Sequence, residues 1–225
     1  MPNRAWKQER HKAEWRIGDT INASIGQGYV LASPLQLAVM TARIASGRAV
    51  APRLVRMIGT EETPVAEAPD LGIAAEHLAT VRRGMFDVVN GERGTARSSR
   101  VADPALVMAG KSGTSQVRNI SAKERASGVV SNDQLPWARR DHALFVAYAP
   151  YDNPRYAVAV VVEHGGGGGA VAGPIARDIL LRALSDGLPP LSAYPAAQRG
   201  RIETMLKELP LRDPVTGAAP APERA

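Results

Sequence analysis

The sequence predicts an α+β fold in which three antiparallel strands carry helices packed against them. His142–Tyr148 and Tyr156–Val162 are strongly β-patterned, and Ala149-Pro-Tyr-Asp-Asn-Pro154 between them has the composition of a hairpin connection. Ala109–Val117 supplies a third candidate strand. Helical spacing occurs elsewhere, but strands and helices do not alternate as a parallel sheet requires. At 225 residues the chain is long enough to bury a sizeable core, alone or as part of a larger unit.

In chain order, residues 1–16 are polar and basic, with Trp6 and Trp15 as contact points, and Ile17–Gly28 reads as a turn-rich approach to Tyr29. Ser33-Pro34 opens a helix, Ser as N-cap and Pro at the first helical position. Leu37, Met40 and Ile44 repeat at helical spacing toward a core, and Gly47 is the C-terminal stop. Val50–Ile58 is expected as an edge strand around Pro52, followed by a surface loop over Glu61–Pro69. Leu78, Val81, Met85 and Val88 mark a second amphipathic helix ended by Asn90-Gly91, after which Glu92–Arg100 is expected to be mobile.

Beyond Ala109–Val117 comes a long polar insertion, Arg118–Trp137. Gly165–Gly169 reads as a flexible link, and Pro174 opens a helix with Ile175, Ile179 and Leu180 inward. The expected division is a main unit over 1–188 and a tail over 189–225. That tail is largely disordered, with one short helix at Ile202–Leu209 and disorder over Asp213–Ala225.

Composition narrows the classes of function. The formal charge of +6 and pI near 10 favour an anionic partner, or simply a solvated basic face built on Arg4, Lys7, Arg10, Lys12 and Arg16. With only 4% aromatic residues, base-stacking surfaces and nucleic acid binding are disfavoured. The absence of cysteine excludes disulfides, thiolate catalysis and cysteine-based zinc sites. No apolar run approaches the ~20 residues that span a bilayer.

Several motifs offer weak signals of chemistry. Ala105–Ser112 matches a relaxed phosphate loop, but its intervening residues are apolar and no helix pattern follows. The pentaglycine lacks the Lys-Ser/Thr that would make it a phosphate cradle. His11, His77, His142 and His164 show no ligand spacing, so neither metal nor cofactor is expected, and Ser185-Asp-Gly187 reads as a helix end.

Lys111-Ser112-Gly113-Thr114 is different. A lysine ammonium on an edge strand supplies positive field for a substrate carboxylate and for proton traffic. Gly113 permits close backbone approach. Thr114 offers a hydroxyl for the carboxylate and a backbone N–H suited to an oxyanion hole. Ser115 and Gln116 continue an open strand edge toward an extended peptide.

Around this motif the sequence resembles the class B penicillin-binding proteins, and most of all their elongation-type members. The resemblance is carried by Gly18-Asp-Thr, Ile25-Gly-Gln-Gly-Tyr-Val-Leu-Ala-Ser-Pro-Leu-Gln-Leu-Ala38, Trp6-Lys-Gln, Arg140-Asp-His, Phe145-Val-Ala-Tyr-Ala-Pro and Val162-Glu-His-Gly-Gly. It covers roughly residues 3–185, in order. It implies part of a penicillin-binding, serine β-lactamase-like transpeptidase fold and a peptidoglycan D,D-transpeptidase working through an acyl-serine. Lys111 would be the catalytic residue, and Ser112, Gly113, Thr114, Ser115 and Gln116 would bind substrate. Gly26-Gln27-Gly28 would be scaffold near the site, shaping the helix start, with no direct chemical role.

Partners implied are peptidoglycan stem peptides, β-lactams and membrane proteins of the elongation complex, on the periplasmic face of the inner membrane. Such enzymes need three motifs: Ser-x-x-Lys, Ser-x-Asn and Lys-Ser/Thr-Gly. No serine here has lysine three positions on or asparagine two positions on. The chain is therefore expected to be the C-terminal part of a transpeptidase domain, inactive alone, with nucleophile and membrane anchor upstream. A division-type transpeptidase, a β-lactamase, a D,D-carboxypeptidase and a non-catalytic cell-wall binding module are the rivals.

Overall fold

A computed structural model describes residues 2–208, the side chain of Lys123 excepted. Its centre is an antiparallel sheet of order β3-β4-β5, with β3 at Ala109–Ser115, β4 at His142–Ala149 and β5 at Tyr156–Val162. The hairpin expected from Ala149–Pro154 joins β4 to β5 in register Ala149↔Tyr156. β4 lies between its two partners and is buried on both faces, which is why it reads as a nearly continuous apolar run.

Helices cover the two faces of the sheet. Phe145 and Ala147 of β4 and Val160 of β5 meet Ala176, Leu180 and Leu181 of α6 (Gly173–Leu184) in the larger core. On the other face Tyr148 packs with Ala109, with Ala45 of α3 (Pro34–Ser46) and with Met85 of α4 (Ala75–Asn90). Burial pushes the Tyr148 hydroxyl up to about 12. The α3 boundaries follow the sequence signals: the Ser33 hydroxyl accepts from the Gln36 N–H, and Gly47 closes the helix in the left-handed region.

Other expectations need correction. Ile17–Ser24 is a helix, α2, because the Asp19 carboxylate accepts from the Arg16 N–H and from the Lys7 ammonium of α1 (Arg4–His11) at 2.7 and 2.6 Å. Val50–Ile58 is not an edge strand. Only Met57–Ile58 (β1) pairs, with Glu61–Glu62 (β2), and Leu54 is fully exposed.

Met40 and Val81 face solvent, since small Thr41 and Ala45 set the α3 contact and Leu78, Met85 and Val89 set that of α4. Ile175 and Ile179 are likewise exposed. The sheet-facing stripe of α6 is Ala176, Leu180 and Leu181, and each isoleucine lies about 100° round the helix from its neighbour in that stripe.

Glu92–Arg100 is also held. Ala96 and Ser99 are fully buried in a turn packed against α4 and the Gly168 turn. Gly165–Gly169 is no loose link: Gly168–Ala172 forms a wide turn running into α6, with Gly168 and Gly169 buried. The insertion Arg118–Trp137 carries α5 (Ala122–Ser127) and short turns at Asn132–Gln134 and Trp137–Arg139.

The short helix expected at Ile202–Leu209 begins at Ala196 and runs to Glu208 as α7. Ala193, Tyr194 and Ile202 belong to the main core, so the chain from Leu191 to Glu208 is packed and not a loose tail. The disorder expected over Asp213–Ala225 lies outside the described residues.

Arg177 fastens α7 to the body. It is fully buried, with Nε on Asp178 at 2.8 Å, Nη1 donating to Gln198 Oε1 at 2.6 Å, and its guanidinium 4.9 Å over the Tyr194 ring. Gln198 in turn donates to the Ser98 carbonyl at 2.7 Å. Gln198→Ala strips an acceptor from a buried cation and should cost about 1–3 kcal/mol in urea unfolding. An unchanged midpoint would detach α7 from the cooperative unit.

Candidate functional site

Five of the six expected site residues lie on β3, whose only ladder partner among the described residues is β4. Register places Lys111 opposite Val146, Gly113 opposite Leu144 and Ser115 opposite His142. Gln116 lies just past the strand end and lines a cavity of about 200 Å³ with Arg118, Ile120, Val130, Asn132 and Asp141.

Strand alternation divides the side chains. Lys111, opposite Val146, points to the α3–α4 side, whereas Ser112 and Thr114 point to the α6 side. The ammonium and the two hydroxyls therefore leave the strand on opposite faces. Lys111 is exposed, with no carboxylate in ion-pair range among the described residues. The Ser112 hydroxyl lies 3.2 Å from that of Thr95.

Backbone polarity identifies the open edge. Carbonyls of residues two apart on a strand face the same way. Toward β4, the Val107 carbonyl accepts from the Tyr151 N–H, and the Val117 N–H donates to Asp141 Oδ1. On the other parity, the carbonyls of Met108, Ser112 and Thr114 accept side-chain donors: Asn90 Nδ2 at 2.9 Å, Lys111 Nζ at 2.8 Å and Gln27 Nε2 at 2.9 Å. The N–H and C=O of Ser112 and Thr114 thus line the edge that no strand covers.

The strand is backed from behind. A methyl on Gly168 would run into the carbonyls of Leu144 and Gly113, and one on Gly110 would sit 2.6 Å from the Phe145 ring. Gly168→Ala should lower the unfolding free energy by about 1–3 kcal/mol, the range for overpacking. A neutral effect would mean that the turn is not pressed on β3.

Past β3 the insertion is held by a forked ion pair in which both Arg118 terminal nitrogens donate to Glu124 at 2.7 Å. Those hydrogen bonds hold the Glu124 carboxyl below the usual glutamate value and Arg118 above its own. A depressed carboxyl stabilises above its unfolded value of about 4.3, and that support is lost as pH falls through the folded value. Amide exchange over residues 118–130 should therefore rise on acidification before that of β4. Exchange that rises everywhere together would contradict it.

Sequence reasoning missed Thr95, Asn90 and Gly168 at the site, and it gave Gln27 a scaffold place near the site without a contact to β3. Glycines on both sides of Gln27 were the one visible sign. Described residues hold no cluster of three His, Asp or Glu side chains able to grip a metal. His142 and His164 instead meet edge to face beside Trp137, and His142 Nδ1 accepts from the His164 N–H.

An antiparallel sheet between helices thus carries Lys-Ser-Gly-Thr on its edge strand. The family model described as "Penicillin binding protein transpeptidase domain" matches residues 3–181, and the chain belongs to that family. It is 40% identical over 202 residues to a peptidoglycan D,D-transpeptidase MrdA of Haemophilus influenzae, covering 86% of this chain and 30% of that protein. The Escherichia coli K12 protein of the same name is 38% identical over 80% of this chain and 28% of its own length.

Among solved structures, Pseudomonas aeruginosa PBP2 in complex with WCK 5153 superposes with TM-score 0.67 at 36% identity, covering 86% of this chain and 40% of that one. A complex of PBP2 and MreC from Helicobacter pylori gives TM-score 0.62 at 32% identity, over 78% and 29%. The chain spans about three tenths of the length of these curated relatives.

Proposed function

We propose that this chain provides the carboxylate-binding wall of a peptidoglycan D,D-transpeptidase that cross-links stem peptides during cell-wall elongation and cell-shape maintenance. The observation that carries this reading is the uncovered β3 edge bearing Lys111, Ser112, Gly113 and Thr114 in a chain of this family.

An extended peptide docks along that edge. Its terminal carboxylate meets the Lys111 ammonium and the Ser112 and Thr114 hydroxyls, and Ser115 and Gln116 contact the residues before it. In the reaction a serine oxygen bonds to the penultimate carbonyl carbon, and the oxyanion forms at the Thr114 N–H. Collapse breaks the D-Ala–D-Ala bond and releases D-alanine with the serine's proton. An amine of a neighbouring stem then displaces the serine. β-Lactams enter the same edge as mimics of that terminus.

The serine is not supplied by these residues, since the sequence has neither Ser-x-x-Lys nor Ser-x-Asn. Alone, the chain is a binding module of the cell-wall machinery. The relatives support a periplasmic setting at the inner membrane. The Helicobacter pylori complex supports a membrane-bound elongation partner for this chain too. No helix among the described residues is long and apolar enough to cross a membrane.

Two measurements test this. Fluorescent penicillin followed by denaturing electrophoresis should leave the chain unlabelled; a labelled band would show a nucleophile among these residues. A peptide ending in D-Ala-D-Ala should bind, and Lys111→Ala should weaken it about tenfold or more, the worth of a charge-assisted hydrogen bond. Binding indifferent both to that change and to amidation of the peptide's C-terminus would sink the reading.

A further inference from the structure

We propose that Gln27 is a specificity latch on the β3 edge, occupying the Thr114 carbonyl until a ligand with its own backbone N–H replaces it. The inference rests on the reading of β3 as a peptide-docking edge and adds how that edge selects what docks.

Three carbonyls along this edge, that of Met108 just before β3 and those of Ser112 and Thr114 within it, are occupied by side-chain donors, and two of these donors are anchored close by. Lys111 is the neighbour of Ser112, and Asn90 ends α4 beside the start of the strand. Gln27 alone reaches in from another segment, 87 residues away in sequence, to the carbonyl at the middle of the docking stretch.

Its placement is built into the turn. Gly26 and Gly28 both sit in the left-handed region, at φ +75° and +72°, where glycine is favoured. Between them the Gln27 N–H donates to the Asn22 carbonyl at 2.8 Å. A side chain on Gly28 would be strained by its φ and would come within 3.2 Å of Asn22 Cβ. The backbone is thus fixed, and the amide is aimed at β3.

A glutamine amide and a peptide N–H are the same kind of donor. The exchange of one for the other at Thr114 is close to balanced for a peptide. For a ligand without an N–H at that place, the exchange loses a hydrogen bond outright. The latch therefore favours amide-bearing ligands, and it blunts an edge that would otherwise pair with any strand.

The test follows the chain by NMR while an acetylated peptide ending in D-Ala-D-Ala is added. The Gln27 side-chain amide signal should move to the position of a free, rapidly exchanging amide as the peptide binds. Gln27→Ala and Gln27→Met, which remove the competing donor, should each tighten the peptide about three- to tenfold, the worth of one net hydrogen bond. Unchanged or weaker binding in both variants overturns the latch.

If neither wild type nor variant binds peptide, the docking reading fails by itself. The latch is then judged on the free protein, where the Thr114 carbonyl ¹³C resonance must shift in both variants. An unmoved resonance overturns it.

Discussion

Everything at this site depends on β3 being satisfied along one edge and open along the other. β4 pairs with it from Ala109 to Ser115, and the Gly168 turn lies so close behind the ladder that no side chain fits there. A strand held this way has little freedom to shift. Its outward N–H and C=O groups keep fixed positions, so a ligand strand meets a preorganised template and loses less entropy on docking. The same rigidity fixes an ammonium on one face of the strand and two hydroxyls on the other.

That constraint spreads through the molecule. The double burial of β4 makes the sheet the meeting point of two cores, one with α6 and one with α3 and α4. Arg177 and Gln198 then draw α7 and the Ser98 turn onto the first of these. Ser99 and Thr95 in that turn approach Gly169 and Ser112. The C-terminal helix and the site strand are thus linked by a short run of hydrogen bonds and packed glycines, which gives a physical reason for the buried cation at Arg177.

Much of this was legible in the sequence where the cause is local. Ser33, Pro34 and Gly47 bracket α3 because caps act within one turn of the helix. β4 and β5 declare themselves because burial on the sheet demands apolar, β-branched runs. The strand that carries Lys111–Thr114 was legible too, from the small and β-patterned residues of Ala109–Val117.

What stayed hidden depends on partners far away. Gly18, Asp19 and Asn22 look like turn formers, but Asp19 becomes a helix-start acceptor once Lys7 and the Arg16 N–H are beside it. Five consecutive glycines look flexible by composition, whereas at Gly168 and Gly169 close approach to backbone carbonyls is what requires glycine. Ile175 and Ile179 look inward until Ala176 and Leu180 reveal which stripe of α6 meets the sheet. Gln27 could not be assigned a contact, because nothing in its neighbourhood encodes the carbonyl it finds.

Residue-by-residue amide exchange along β3 examines the arrangement most directly, with and without a stem-peptide mimic. Lys111, Gly113 and Ser115 should exchange slowly in the free chain, and Ser112 and Thr114 quickly, until the peptide slows them as well. Uniform protection before the peptide is added, or a Thr114 amide still fast at saturation, would show that this strand presents no open edge to its ligand.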